Sequence, residues 1–300
     1  MVAHILDGSK NIIASSCTCW YSNIEIDCAN EEALMTYLYI LAVILLALLY
    51  MRFEAGFLEV KHIRFTKSVH GLKVLQLSDI HIGRLKVSAG RIREVITQEA
   101  PDVILLTGDY VETRDQVPAF MEFLATLGTY PNMYLCLGNH DYRAFRRDDR
   151  GLGDFMSQME AAGITILHNR CVTIEKNAKT YNLIGIADIR YGHHNLEEAF
   201  SRCSEKAFAS LGFSHNPDIA LEIPRGKLDY LFCGHFHGGQ IWAPFNLEFK
   251  LLRDEKLCKQ GIKGGLHKVN GINLYINRGL GNVLFPLRFL SRPEITVYHI

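Results

Sequence analysis

The chain lacks a net charge, and it lacks a low-complexity linker that would divide it after its first apolar segment. Its 300 residues contain 32 lysines and arginines against 32 aspartates and glutamates. Proteins that bind nucleic acid through a broad surface need a basic excess, so this composition gives no support for a nucleic-acid partner. Length and composition instead predict one ordinary globular domain joined to an N-terminal membrane anchor.

Charged residues are also absent from the apolar segment Ala33–Met51. A helix of about 20 apolar residues crosses a bilayer core of about 30 Å, whereas a core helix of a soluble domain rarely lacks charge over that length. We therefore predict a single transmembrane helix over residues 33–53. A cleaved signal peptide is the alternative, although this apolar run is longer than the usual apolar region of such a peptide.

The charges that flank this segment predict its orientation. Glu31 and Glu32 precede it, while Arg52, Lys61 and Arg64 follow it. Because basic residues tend to remain on the cytoplasmic side of a membrane, we expect the rest of the chain to lie in the cytoplasm.

Residues 1–32 lack any repeat and any histidine-containing zinc spacing, although they include Cys17, Cys19 and Cys28. We expect this segment to be poorly ordered. Met35 at the head of the apolar run offers an alternative start of the natural protein, in which case the residues before it are an artefact.

Five apolar stretches end in side chains that bind metals. They read LQLSDIHIG from Leu75, ILLTGDY from Ile104, YLCLGNHD from Tyr134, FSHNPD from Phe213, and LFCGHFHGGQ from Leu231. Each begins as a short hydrophobic run and breaks into a polar turn, which is typical of a buried strand and its exit. The tips of strands in one sheet lie close in space, so these side chains are predicted to converge on one point.

The residue types at these tips narrow the metal. Carboxylate, imidazole and amide groups without thiolate suit Mn, Fe, Zn or Mg, and they argue against a structural zinc site built from cysteines. The spacings Asp-x-His and His-x-His also matter, because alternate residues of an extended segment point to the same side. Both members of each pair could then reach one site.

Strands and helices alternate from Lys61 onward, which predicts an α/β fold with a largely parallel sheet. Helices are predicted over 89–99, 117–127 and about 196–209. The short strands TILHN, CVTIEK and YNLIGIAD are expected to be antiparallel additions, and KVNGINLYI is expected to form a hairpin around Asn270 and Gly271.

The order D-x-H, GD, GNHD, H and GHxH, from Leu75 to His237, resembles the calcineurin-like metallophosphoesterases. The further matches NLYINRGLG and RPEI resemble the membrane-associated YkuE/YaeI-like branch of bacterial phosphodiesterases. This resemblance covers roughly residues 61–300. It implies a four-layer αββα sandwich in which two sheets pack face to face between outer helices.

The resemblance also implies a site with two divalent ions, with Mn favoured among Mn, Fe, Zn and Mg. The implied ligands are Asp79, His81 and His237 for one ion, Asn139, His215 and His235 for the other, and Asp109 as the bridge. Such a pair of ions lowers the pKa of a bridging water, so that hydroxide becomes available near neutral pH. No serine or cysteine nucleophile is then required.

Four further residues lie close in sequence to the motifs, and they are predicted to act on the substrate or to orient a residue that does. His140 comes directly after the implied ligand Asn139, and by resemblance it protonates the leaving alkoxide or stabilises charge on the phosphoryl group. Glu112 stands where many relatives carry an aspartate that orients this histidine. Arg84 and Arg278 are candidates for phosphate binding, because a guanidinium matches the geometry of phosphate oxygens.

The sequence therefore predicts a phosphoesterase tethered to the inner membrane of a bacterium, with its catalytic domain in the cytoplasm. Its substrate would be a phosphodiester or a pyrophosphate in a lipid or lipid precursor. Hydrolysis of UDP-2,3-diacylglucosamine is one specific version, and a nucleotide phosphodiesterase or phosphoprotein phosphatase is an alternative. A scaffold that kept only the fold would be expected to lack ligands, and here all seven are present.

Overall fold

A computed structural model describes residues 32–68, 71–241, 249 and 253–300. The predicted N-terminal segment 1–32 falls almost wholly outside these ranges. The first described element, α1, is a helix of 23 residues, Glu32–Glu54. Its length and apolar composition are sufficient to cross a membrane, and a signal sequence near the N-terminus has the same properties. Packing separates the residues up to Tyr50 from a compact unit over Met51–Ile300.

Twelve strands are described in this unit, and they form two six-stranded sheets. In chain order they are β1 Glu59–Arg64, β2 Lys73–Leu77, β3 Val103–Thr107, β4 Met133–Cys136, β5 Thr165–Ile166, β6 Arg170–Lys176, β7 Lys179–Gly185, β8 Ala209–Phe213, β9 Tyr230–Cys233, β10 Gly265–Val269, β11 Ile272–Ile276 and β12 Glu294–His299.

The first sheet has the order β1-β12-β2-β3-β4-β5, and the second has the order β10-β11-β9-β8-β7-β6. In the first sheet only β12 and β2 pair antiparallel. The second sheet is parallel at its centre and antiparallel at its two margins, where β10 pairs with β11 and β6 pairs with β7. Both sheets are therefore mixed.

Six further α-helices are described after α1. They are α2 Ala89–Glu99, α3 Val117–Leu127, α4 Asn139–Ala144, α5 Asp149–Ala161, α6 Leu196–Phe200 and α7 Lys256–Lys259. Helix α2 illustrates the local rules, because the side chain of Ser88 caps its first turn by accepting a hydrogen bond from Arg91 N. Its buried residues Ile92, Val95 and Ile96 recur at helical spacing.

The apolar residues form three layers of core, which give the predicted αββα sandwich. In β3 the alternate residues Ile104 and Leu106 face the core shared with α2, α3 and α5, while Val103 and Leu105 face the other sheet. A third core lies between the second sheet and the helices α6 and α7. The predicted α/β architecture is confirmed.

Two local predictions were wrong. The helix expected over 196–209 ends at Phe200, and Ala209 opens the strand β8. The stretch TILHN forms only the two-residue strand β5, which pairs parallel with β4 in the first sheet. By contrast, the predicted hairpin is present, with Asn270 at φ 51° and Gly271 at φ 89° between β10 and β11.

Candidate metal centre

Every predicted metal ligand lies just beyond the end of a strand. Asp79 and His81 follow β2, Asp109 follows β3, Asn139 follows β4, His215 follows β8, and His235 and His237 follow β9. The first three of these strands belong to one sheet and the last two to the other. The expectation that a single sheet supplies all the ligands was therefore wrong. The two packed sheets bring their strand ends to a shared edge.

Tight turns direct these side chains to one place. Five of the seven residues adopt a left-handed backbone: Asp79 at φ 49°, His81 at φ 40°, Asp109 at φ 58°, His235 at φ 74° and His237 at φ 52°. Such conformations are uncommon for residues other than glycine, and they concentrate at functional sites where the surrounding structure holds them. These left-handed residues lie in the turns that follow β2, β3 and β9.

The first group of converging atoms comes from Asp79, His81 and His237. Nε2 of His81 lies 3.2 Å from Nε2 of His237. Nε2 of His237 lies 3.3 Å from Oδ1 of Asp79, and Nε2 of His81 lies 3.7 Å from Oδ2 of Asp109. All of these side chains are buried, so their donor atoms face one another in a small polar pocket.

The second group comes from Asp109, Asn139, His215 and His235. Nε2 of His215 lies 3.0 Å from Oδ1 of Asn139 and 3.1 Å from Oδ2 of Asp109. Nδ1 of His235 lies 3.1 Å from the same Nε2 of His215. Because Oδ2 of Asp109 also approaches His81 of the first group, this one carboxylate oxygen faces both groups.

The pKa values of the two aspartates in this pocket are shifted in opposite directions. Burial would raise the pKa of Asp109, but the charge of His215 and its hydrogen bond outweigh burial and hold that pKa well below its ordinary value. Burial raises the pKa of Asp79, although the positive charge of His215 opposes the shift. The ionised form is therefore favoured at Asp109 and disfavoured at Asp79 relative to a carboxyl group in water.

The donor set fits divalent cations. Burial lowers the pKa of His237 well below its ordinary value, so this ring is neutral and can offer a lone pair. Its Nδ1 has no hydrogen-bond partner among the described residues, while its Nε2 faces the Nε2 of His81. A cation between the two rings would bind both facing lone pairs. Nitrogen and carboxylate donors without thiolate suit Mn, Fe, Zn or Mg.

Asp141 stabilises the turns that carry two of the ligands. Its carboxylate accepts hydrogen bonds from the backbone N–H groups of Asp109 (2.9 Å), Tyr110 (2.8 Å), Val111 (3.1 Å) and Gly138 (2.9 Å). The carboxylate therefore ties the turn after β4 to the turn after β3.

His140 lies beside both groups without belonging to either predicted ligand set. Its backbone N–H donates to Oδ1 of Asp109 at 2.8 Å, and its ring packs edge to face against His81 with centroids 5.0 Å apart. Burial lowers the pKa of His140 to about 4, although the charge of Asp109 opposes the shift. The side chain is only partly buried, so it lies at the open side of the pocket.

Glu112 reaches the same region but has other partners than the one predicted. Its carboxylate forms an ion pair with Arg84, and its Oε1 lies 3.4 Å from Nδ1 of His81. These two interactions, with His81 first, outweigh burial and lower the pKa of Glu112 to about 2. Glu112, His81 and His140 do lie close enough to share one cation. The carboxylate of Glu112 contacts Arg84 and His81 in this structure, and its orientation of His140 stays a prediction.

Arg278 is occupied by this chain's own carboxylates. Its Nε donates to Oε2 of Glu294 at 2.7 Å, and its Nη2 donates to Oε2 of Glu59 at 2.5 Å. Both carboxylates neutralise the guanidinium, and the stem of the side chain lies against Gly238. Arg278 thus forms ion pairs with Glu59 and Glu294 in this structure, and its phosphate-binding role stays a prediction. Arg84 lies next to the pocket, and its phosphate-binding role stays a prediction.

One residue of the site was missed by sequence reasoning. Glu255 is buried, and its Oε1 lies 2.9 Å from Nε2 of His235 and 3.0 Å from Nη2 of Arg190. Burial would raise the pKa of Glu255, but the hydrogen bond from His235 outweighs it and lowers the pKa to about 2. No motif or periodicity marks Glu255, which lies 18 residues after the last predicted ligand, His237.

Residues 72–239 match the model of the calcineurin-like phosphoesterase family. The chain belongs to that family. The resemblance drawn from the motifs is thus confirmed, and the protein is a metal-dependent phosphoric ester hydrolase of a family that uses two metal ions. The matched segment begins one residue before β2 and ends two residues after His237, so it contains every predicted ligand.

Three relatives show how far the similarity extends. The metallophosphoesterase YkoQ of Bacillus subtilis is 33% identical over 232 residues, which cover 76% of this chain and 83% of the relative. Phosphodiesterase YaeI of Escherichia coli is 31% identical, with 84% of this chain and 92% of the relative covered. UDP-2,3-diacylglucosamine pyrophosphatase LpxG of Chlamydia trachomatis is 26% identical, with 76% and 83% covered. The similarity therefore spans most of each protein.

Proposed function

We propose that this protein is a membrane-anchored phosphoesterase that uses two metal ions to hydrolyse a phosphodiester or pyrophosphate bond in a lipid or lipid precursor. The observation that carries the proposal is the position of Asp109, whose Oδ2 lies 3.1 Å from His215 and 3.7 Å from His81. One carboxylate oxygen facing two groups of buried donors suits a bridging ligand between two cations.

In this proposal each group of donors holds one divalent ion. Asp79, His81 and His237 hold the first, Asn139, His215 and His235 hold the second, and Asp109 contributes to both. Bound ions in such a site supply an activated water near neutral pH and neutralise the charge on phosphoryl oxygens. We favour Mn, although the donor set also accepts Fe, Zn or Mg.

His140 is proposed to act on the leaving group or on the phosphoryl oxygens. Its backbone N–H is fixed by Asp109, so the position of the ring is tied to the bridging carboxylate. A neutral imidazole keeps one N–H, which can donate a hydrogen bond to an oxygen that gains negative charge in the transition state. Arg84 is the proposed additional cation at the pocket, since its guanidinium lies next to Glu112 and His81.

The proposal of a lipid substrate is supported by the apolar helix and by the relatives. A membrane-spanning helix of 23 residues would hold the enzyme at the bilayer. The effective concentration of membrane-resident substrates at the active site would then rise. One relative is named as a phosphodiesterase and another as a pyrophosphatase of UDP-2,3-diacylglucosamine. Hydrolysis of UDP-2,3-diacylglucosamine is therefore the most specific version of the proposal.

The proposed location is the inner membrane of a bacterium, with a single span and the catalytic domain in the cytoplasm. The basic residues that follow the span support this orientation. Reporter fusions placed after Ile300 would test it: a reporter that is active only in the cytoplasm should be active, and one that is active only after export should not.

A substrate panel tests the activity itself. The purified full chain, loaded with Mn, would be assayed on bis-p-nitrophenyl phosphate, p-nitrophenyl phosphate and UDP-2,3-diacylglucosamine, with Asp109→Asn as the inactive variant. The exposed substitution Asp154→Asn serves as the matched control. We expect diester or pyrophosphate hydrolysis that Asp109→Asn abolishes and Asp154→Asn retains.

The outcomes separate the versions of the proposal. Release of UMP from UDP-2,3-diacylglucosamine would identify the pyrophosphate substrate. Hydrolysis of simple diesters without release of UMP would reject that substrate and keep the phosphodiesterase. Full activity of Asp109→Asn would overturn the proposed metal centre.

A further inference from the structure

Five large apolar side chains remain exposed on two segments outside the metal centre. They are Phe53, Phe57, Leu284, Phe285 and Leu290, with exposed fractions between 45% and 72%. We call these five residues the apolar patch. Single exposed apolar residues are ordinary, but a cluster of large ones indicates a surface that contacts something else.

Two hydrogen bonds hold the two segments of the apolar patch together. The backbone N–H of Arg288 donates to the carbonyl of Met51 at 3.1 Å, and the backbone N–H of Ser291 donates to Oε1 of Glu54 at 2.9 Å. The guanidinium of Arg292 lies 4.6 Å from the centroid of the Phe57 ring. The last turn of α1 and the loop before β12 are therefore in direct contact.

The side chains of Gln240 and Arg288 hold the loop that carries Leu284 and Phe285 by donating hydrogen bonds to backbone carbonyls. Nε2 of Gln240 donates to the carbonyls of Val283 (2.9 Å), Phe285 (2.9 Å) and Leu287 (3.1 Å). The buried guanidinium of Arg288 donates to backbone carbonyls on both sides of the loop, including that of Ser291 at 2.8 Å. The exposure of the apolar side chains is thus set by a rigid loop.

Two of the exposed leucines also have a strained backbone. Leu284 has φ 60° and Leu290 has φ 54°, values that residues with a branched side chain rarely adopt. Strain of this kind persists only where the structure over-determines it, and it accompanies binding surfaces. At these two positions the strained backbone directs a large apolar side chain into solvent. Burial of that side chain against the described residues therefore cannot offset the free-energy cost of the strain.

The exposed charges on the two segments of the apolar patch have one sign. Within 51–57 and 283–292, the charged residues are Arg52, Glu54, Arg288 and Arg292, and Glu54 and Arg288 are buried. The exposed pair, Arg52 and Arg292, is cationic. Cationic residues at the margin of an apolar surface are attracted to anionic lipid head groups.

We propose that the apolar patch docks into an anionic phospholipid bilayer and holds the metal centre at the level of the head groups. Lipid is the occupant because the patch begins in the last turn of the apolar helix α1 and is bordered by exposed arginines. The patch is linked to the metal centre, since Oγ of Ser291 donates to the carbonyl of His237 at 2.8 Å and Nδ2 of Asn282 donates to the carbonyl of Arg84 at 2.9 Å.

This inference rests on the proposed membrane setting, and a fluorescence experiment tests it without any need for activity. The full chain with Trp20→Phe and Trp242→Phe would carry a single new indole, either through Phe285→Trp or through the control Phe208→Trp. Phe208 is exposed to a similar degree but lies just before β8 in the second sheet. Both variants would be placed in bilayers of phosphatidylcholine and phosphatidylglycerol, with and without brominated acyl chains.

The indole at position 285 should lose fluorescence in brominated bilayers, and the indole at position 208 should not. Equal fluorescence at position 285 in both bilayers overturns the inference, and so does protection of that indole by contact with a second copy of the chain. A second measurement uses Phe285→Asp against Phe208→Asp. The patch variant should lose activity on a bilayer-embedded substrate and keep its activity on bis-p-nitrophenyl phosphate. Loss of both activities, or of neither, contradicts the inference.

The two results separate this inference from the proposed function. Hydrolysis of a lipid substrate with no quenching at position 285 would reject the proposed docking surface and leave the proposed phosphoesterase activity standing. Quenching at position 285 in a protein without phosphoesterase activity would keep the docking surface and reject the proposed function.

Discussion

The two nitrogens of His235 have different partners: Nε2 lies 2.9 Å from Oε1 of Glu255, while Nδ1 faces His215 at 3.1 Å. Burial lowers the pKa of His235 to about 4, so the ring is neutral near pH 7. A hydrogen on Nε2 that donates to Glu255 leaves the lone pair of Nδ1 free for a cation. Such outer carboxylates orient metal-binding histidines and make them more basic.

Glu255→Ala should therefore weaken metal binding by about 10- to 100-fold. Glu255→Gln should weaken it less, because the amide oxygen can still accept the hydrogen bond from His235. Titration calorimetry with Mn measures both, and Glu197→Gln at an exposed position is the control. Unchanged affinity in Glu255→Ala would show that the hydrogen bond has no role in holding the ion.

His140→Ala should lower kcat by about 10²- to 10⁴-fold on substrates with an alkoxide leaving group. On bis-p-nitrophenyl phosphate the loss should be smaller if His140 acts as the general acid, since p-nitrophenolate leaves without protonation. Comparison of kcat on methyl and p-nitrophenyl diesters measures this difference. An equal loss on both substrates would instead assign His140 to the phosphoryl oxygens.

Asp141→Asn should destabilise the fold and loosen the metal centre together. Each oxygen of the carboxylate accepts two backbone hydrogen bonds, and an amide has only one oxygen, so two buried N–H groups lose their acceptor. Each buried N–H group left without an acceptor costs about 1–3 kcal/mol. Urea denaturation and Mn titration measure the two effects, and a stable variant with normal Mn affinity would contradict this account.

Removal of the Arg278 side chain should lower stability, whereas removal of the Arg84 side chain should raise KM. Arg278→Ala leaves Lys61 as the cationic partner of the buried Glu294, so we expect a loss in stability below the value of about 3–5 kcal/mol for an unpaired buried charge. Arg84→Ala should leave stability nearly unchanged and raise KM, because its partly exposed side chain lies beside the pocket. Denaturation curves and steady-state kinetics on the same preparations would show whether the two effects separate in this way.

Glu294 should make the free energy of unfolding depend on pH in the acidic range. Burial would raise its pKa, but Arg278 and Lys61 outweigh burial and lower that pKa below 4.5. A carboxyl group whose folded pKa is lowered stabilises the fold above its unfolded pKa and loses that contribution as the pH falls through the folded pKa. The stability gap between the wild type and Glu294→Gln should thus be full at pH 7 and shrink below about pH 4.5. A gap that stays constant with pH would contradict this role.

The ligand turns were predictable because each depends on a local pattern. A buried run such as that of β3 ends in Gly-Asp, and the same short stretch of sequence encodes the strand, the turn and the metal-binding side chain. Helices α2 and α3 were predicted with their observed boundaries for the same reason, since the periodicity of their apolar residues lies within each helix itself. Alternation alone gave an α/β fold, and the four layers came from the family resemblance.

Other features depend on contacts between distant segments. Glu255 joins the site only because α7 lies beside the turn after β9, and the pairing of Arg278 with Glu59 links residues 219 positions apart. Glu112 could be placed near the site from its motif, but its choice of Arg84 over His140 depends on side-chain direction. Nothing in the periodicity of the chain encodes these choices.

Strand β12 lies between β1 and β2, although more than 200 residues of chain separate it from either of them. Among the described strands, β1 pairs only with β12. During synthesis, the strand that follows the apolar helix therefore stays without a partner until almost all of the domain has been made. The first sheet can close only when the ribosome has delivered its late strand, and until then the exposed edge of β1 is where misassembly and chaperone binding should concentrate.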